Sequence, residues 1–203
     1  MNDAIRIVYL HGFNSSPASA KGRQLERAIE ALPQDGRPEY FLPQLPHHPG
    51  EAVRAVTAWI DARGTRARAR NDTLTFVGSS LGGFYATWIA ERYGARAVLI
   101  NPAIRPDIDL APYVGRRTNL HTREEYELRR DDLEELERLS IGRISRPERY
   151  LLLVQTGDEV LDYRAAVRFY AGAFQCVLGG GDHGFRDFEA RIPTVLRFAG
   201  VAV

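Results

Sequence analysis

Apolar residues run along this chain in two rhythms. Short unbroken runs stop abruptly at glycine, asparagine or proline: Ile5 to Leu10, Tyr40-Phe41-Leu42, Leu74 to Val77, Ala97 to Ile100, Tyr150 to Val154, and Gln175 to Leu178. Rich in β-branched residues and bounded by turn formers, these predict six strands, the first of them buried. Between them, apolar residues recur every three or four positions. Lys21 to Leu32 carries Leu25, Ala28, Ile29 and Leu32 on one face and ends at Pro33. Glu51 to about Arg63 does the same with Val53, Val56, Trp59 and Ile60, and further helices are predicted at Phe84 to Ile89, Tyr163 to Tyr170 and Phe188 to Phe198. Strands alternating with helices predict an α/β fold, a mostly parallel six-stranded sheet with helices on both faces.

The alternation breaks once. Between strands four and five, Pro106, Pro112 and Gly115 punctuate a polar stretch, and Thr122-Arg123-Glu124-Glu125 reads as a capping box opening a charged helix. Its apolar stripe is only Leu133, Leu136 and Leu139, which predicts a helix lying on the surface. No repeat or long linker divides the chain, so residues 1–203 are expected to form a single domain.

The third strand ends in Gly78-Ser79-Ser80-Leu81-Gly82, a G-x-S-x-G motif between a strand and a helix. In a nucleophile elbow this turn holds the serine in a strained conformation that projects its hydroxyl from the sheet edge. Glycines are needed two residues either side, where a Cβ would crowd strand and helix, and that selects Ser80 over Ser79. In parallel sheets ligands sit beyond the carboxyl ends of the strands where the winding reverses. With strand one between strands two and three, the reversal falls between His11-Gly12-Phe13 and Gly78-Ser79-Ser80.

A serine hydroxyl needs a base, and the base an orienting acid, here in the order serine, acid, histidine. Asp158 follows strand five and His183 follows strand six in a Gly179-Gly180-Gly181-Asp182-His183-Gly184 loop. Glu159 and Asp162 compete with Asp158. Glu159 is expected to point away into solvent, and Asp162 to cap the next helix. The bland reading makes Asp158 itself a helix cap and His183 an ordinary loop residue. The oxyanion donors are expected to be the backbone N–H groups of Leu81 and Phe13. His11 is read as a buttress of its loop. His47 and His48 lack further ligands at metal spacing, so no metal is expected. Arg63, Arg66, Arg68 and Arg70 are read as a solvated loop.

Composition narrows the function further. A net charge of +1 argues against a nucleic-acid or membrane partner recruited by charge. Lys21 is the only lysine, which reads as an arginine bias in the coding sequence. Cys176 is the only cysteine, so no internal disulfide can form, and the short apolar run after Met1-Asn2-Asp3-Ala4 lacks a basic n-region. The cytoplasm is the expected compartment.

Four blocks, in chain order, carry a resemblance to a known family. They are Leu10 to Pro17, Gly78 to Trp88, Asn101-Pro102-Ala103, and Gln155 to Arg164 with its Gln-Thr-Gly-Asp-Glu-Val-Leu-Asp-Tyr-Arg sequence. The chain resembles the YqiA-type family of small bacterial esterases within the α/β-hydrolases, least so from about Arg105 to Pro147. That resemblance implies a compact hydrolase core lacking the usual first two strands and a cofactor-free serine esterase. The substrate would be a small carboxylic ester or acyl thioester, and 105–147 a small cap. Ser80 would be nucleophile, His183 base and then acid, and Asp158 the orienting carboxylate. An acyltransferase or peptidase on the same triad, or a binding module on a hydrolase core, remain alternatives.

Overall fold

A computed structural model describes residues 4–63 and 71–203. Its main sheet has six parallel strands: β1 (Arg6–Leu10), β2 (Glu39–Phe41), β3 (Leu74–Ser79), β4 (Arg96–Ile100), β7 (Tyr150–Gln155) and β8 (Phe174–Leu178), in the spatial order β2-β1-β3-β4-β7-β8. The winding reverses at β1, between β2 and β3, as the sequence implies. No helix among the described residues is long and apolar enough to cross a membrane.

Strand side chains alternate between two cores, as the two-residue period of a pleated strand requires. Val8, Leu10, Phe76, Leu99 and Leu152 face α2 (Pro49–Asp61), α3 (Leu81–Tyr93) and α6 (Tyr163–Phe169). Ile7, Tyr9, Val77, Val98 and Leu153 face α1 (Ala20–Glu30) and α7 (Ile192–Phe198). Two covered faces explain why the four inner strands β1, β3, β4 and β7 read as continuous apolar runs, whereas the edge strands β2 and β8 are largely open, with Phe174 and Val177 exposed. The helix expected from Phe188 begins as a single 3₁₀ turn, Phe188–Arg191, before α7.

The region after β4 departs from expectation. A short helix α4 (Pro106–Asp109) leads to an antiparallel hairpin of β5 (Gly115–Thr118) and β6 (Glu125–Leu128), then to α5 (Arg130–Leu139). The Thr122 to Glu125 sequence is therefore a hairpin turn running into a strand. Asn119 closes it: its Oδ1 accepts the N–H groups of His121 and Thr122 at 2.8 and 3.0 Å, and Arg123 sits at φ 63°. The capping box lies seven residues later, where Asp132 accepts the Arg129 N–H at 2.7 Å. Nor is the segment purely superficial. Leu110, Leu128, Leu136 and Ile144 enter the larger core, Leu136 at 0 % exposure.

Candidate active site

Each element of the site stands at the carboxyl end of a strand. Ser80 follows β3 with φ 55° and ψ −122°, the left-handed conformation that an elbow imposes on its serine. The glycines around it are sterically required. A Cβ on Gly82 would overlap the Leu10 carbonyl oxygen, and one on Gly78 would overlap the Gly82 carbonyl. Gly12 is the counterpart on the β1 loop, where a Cβ would stand 3.2 Å from Ser80 Cβ.

His183 Nε2 lies 3.1 Å from Ser80 Oγ, and its Nδ1 lies 2.9 and 3.0 Å from the Asp158 carboxylate oxygens. A proton on Nδ1 therefore donates to Asp158 and leaves Nε2 to accept from the serine hydroxyl. The Asp158 side chain is 2 % exposed. Burial alone would favour its neutral form. The His183 hydrogen bond and the Leu161 and Val160 N–H groups outweigh that and hold its pKa below the ordinary carboxylate value. Of the competing acids, Asp162 caps α6 through the Arg164 N–H. Glu159 corrects its expectation: it accepts the backbone N–H of His183 at 3.0 Å.

Three further groups anchor the histidine loop. Buried Asn101, at φ 41° just beyond β4, donates to the carbonyls of Asp182 and His183 and accepts from the Gln155 N–H. Gln155 bonds the N–H groups of Asp182 and Arg186 and the Arg186 carbonyl. Lys21 Nζ donates to the Gly184 carbonyl at 2.7 Å. The sequence reading missed these as site residues. The only signals were Asn101-Pro102 directly after a strand and a solitary lysine.

Phe13 and Leu81, the expected oxyanion donors, stand on the β1 loop and at the first position of α3. Among the described residues, neither N–H is engaged by an acceptor. Phe13 is flanked by the tilted ring of Tyr113 and, edge to face, by Tyr126, with centroids 6.0 and 6.4 Å away. His11 is a buttress: its buried Nε2 accepts the Leu45 N–H at 3.1 Å, and burial drives its pKa down to about 4. A cavity of ≈ 340 Å³ opens over Ser80 and His183, bordered by Phe13, Ser19, Lys21 and His121.

Among the described residues no three His, Cys, Asp or Glu side chains gather where a metal could bind. His47 instead meets Glu124 at 3.2 Å and stacks on Tyr126, while His48 meets Asp132 at 2.9 Å. Arg63 pairs with Glu39 and stacks over Trp59. Arg66, Arg68 and Arg70 lie outside the described residues.

The sequence profile of a family described as "Uncharacterised protein family (UPF0227)" matches residues 6–200. The fold is also similar to solved structures. Alpha/beta hydrolase domain-containing protein 10 from mouse superposes with a TM-score of 0.67 at 14% identity, covering 97% of this chain and 91% of that one. The esterase domain of a Rhodothermus marinus protein gives 0.66 at 17%, covering 98% and 88%. Est1E from Butyrivibrio proteoclasticus, bound to ferulic acid, gives 0.66 at 14%, covering 97% and 88%. Identities this low speak for a shared α/β-hydrolase fold.

Proposed function

The chain belongs to the UPF0227 family, the YqiA-like esterases, and from that premise we propose that it is a serine esterase hydrolysing carboxylic esters or thioesters through an acyl-enzyme. One observation carries the reading: the hydrogen-bonded series Ser80–His183–Asp158, with the serine on a strained elbow.

In the acylation step, Ser80 Oγ attacks the substrate carbonyl while His183 Nε2 takes its proton. Asp158 holds Nδ1–H toward itself and stabilises the imidazolium that forms. The tetrahedral oxygen accepts from the Phe13 and Leu81 N–H groups, which are fixed in place and need no rearrangement as charge develops. His183 then protonates the leaving alcohol or thiol. Deacylation repeats the sequence with water as nucleophile. Residues 105–147 act as a small cap: His121 borders the cavity, and the hairpin grips the β1 loop through Asn119 to the Ser15 carbonyl and Tyr126 to Asn14. The single cysteine and near-neutral charge support a cytoplasmic enzyme acting on small molecules.

Labelling with a fluorophosphonate, followed by mapping of the modified peptide, tests the assignment. The probe should attach to Ser80, and Ser80→Ala should lose both labelling and ester hydrolysis with an unchanged melting temperature. Ser79→Ala should keep measurable activity. Label on Ser79, or on no serine, would overturn the proposal.

A further inference from the structure

The cavity over Ser80 carries a cation that the triad chemistry does not use. Lys21 borders it from the first turn of α1. A helix favours acids at that end, where its free N–H groups already present positive charge, and α1 has no acid in its first turn. The lysine therefore adds charge of the sign already present. Its ammonium has three N–H donors, of which one goes to the Gly184 carbonyl. Burial lowers the Lys21 pKa, and the carboxylates of Asp182 and Asp158 oppose that. Both carboxylates are already committed, Asp182 to Arg186 and Asp158 to His183. No Asp or Glu is among the described residues bordering the cavity; Ser15 and Ser19 border it too, but the Ser19 hydroxyl is itself buried.

Building on the serine esterase reading, we infer that Lys21 makes this cleft select esters that carry a carboxylate a few bonds from the scissile carbonyl. One ammonium with two N–H donors beyond the one given to Gly184 suits a single negative charge. A phosphate dianion calls for more donors, and no arginine borders the cavity among the described residues. Lys21 also holds the histidine loop by Gly184, and the competing reading is that it serves as that tether alone.

Two pairs of substrates separate these roles. 4-Nitrophenyl hydrogen succinate against 4-nitrophenyl butyrate places the charge on the acyl side. 4-Acetoxybenzoate against its methyl ester places it on the leaving group. The wild-type protein should favour the charged member of at least one pair by about tenfold in kcat/KM, the scale of one charge-assisted hydrogen bond. Lys21→Met should erase that preference and Lys21→Arg should restore part of it. An absence of preference in both pairs, or an equal loss on charged and neutral esters in Lys21→Met, would overturn the inference. The equal loss would identify the tether. If no ester turns over and fluorophosphonate leaves Ser80 unlabelled, it is the esterase reading that fails. Calorimetric titration of Ser80→Ala protein with monomethyl succinate still decides the role of Lys21. Adding Lys21→Met should weaken binding about tenfold, and unchanged affinity would reject the subsite.

Discussion

Two regions meet over the carboxyl end of the sheet, and they are held together by different means. The loop that carries His183 is anchored through its main chain: Asn101, Gln155, Glu159 and Lys21 all grip backbone atoms of residues 182–186. Residues 105–147 are held by apolar insertions and by side-chain pairs, with Leu136 sunk in the core and His48 meeting Asp132. The first arrangement positions the His183 ring between Ser80 and Asp158 and leaves stability mostly to the strands beneath. The second adds stability while touching the cleft only at its rim. Mutations should therefore divide into those that remove turnover and those that remove stability.

The largest effect should come from Asp158→Asn. Without the charge, His183 loses the partner that fixes its tautomer, which costs roughly 10⁴ in turnover in a serine-protease triad. Stability should change little. Asp162→Asn should do the reverse, lowering the melting temperature through a weaker α6 cap and sparing turnover. Steady-state kinetics beside thermal unfolding would read both, and exchanged outcomes would make Asp162 the acid.

Leu136→Ala should act on stability. Its side chain is fully buried, and comparable truncations cost about 2–5 kcal/mol through lost burial and the cavity left behind. Denaturant unfolding should show that loss while kcat of the remaining folded enzyme stays within a few fold. A loss under about 0.5 kcal/mol, the range of ordinary surface substitutions, would return α5 to the surface role its sequence suggests.

That contrast also explains what could be read from the chain. Strands covered on both faces must be apolar throughout, and the elbow admits only glycine at positions 78 and 82. Physical necessity writes such features into the sequence. The β5–β6 hairpin has no such constraint. Its first strand, Gly115-Arg116-Arg117-Thr118, carries no apolar residue, and the second, Glu125-Tyr126-Glu127-Leu128, alternates over only four residues, too short a stretch to mark a strand. Its turn imitates a helix start because Thr-Arg-Glu-Glu suits a capping box as well as it suits a loop closed by Asn119. The anchors of the histidine loop were hidden for another reason. Asn101, Gln155 and Glu159 meet residues 182–186 only once the sheet has formed, and no local pattern records that meeting.

His11 offers a test by pH, with an effect of intermediate size. Folded, its pKa is about 4, and burial, the leading cause, is reinforced by the nearby charges of His121 and His47. Unfolded, it should titrate near the usual 6.5. Between those values the unfolded chain binds the proton more readily, so stability rises with pH across the window. The contribution is complete above about 6.5 and lost by about pH 4, amounting to at most about 3 kcal/mol. Chemical denaturation at stepped pH should show that slope, and His11→Gln should flatten it. An unchanged slope would assign the acid sensitivity to other groups.

The smallest effects should come from the two histidine–carboxylate pairs that join the loop at 47–48 to residues 105–147, and burial should rank them. Glu124 is 62 % exposed, so its pairing with His47 competes with water and is screened by salt. Its replacement by Gln should shift stability by no more than about 0.5 kcal/mol. Asp132 is 4 % exposed and serves two donors, the His48 ring and the Arg129 N–H that opens α5. Asp132→Ala strands both and removes the α5 capping box, where losing a cap costs roughly 0.5–2 kcal/mol. The Gly50 N–H, held by Glu135 at 2.8 Å, limits the damage by keeping α2 and α5 joined. Unfolding free energies of the two single variants and the double would rank the pairs. If Glu124→Gln costs as much as Asp132→Ala, attachment of the segment depends on the half-buried Tyr126–His47 stack and its exposed Glu124 partner, and burial of the ion pair is not what holds the hairpin in place.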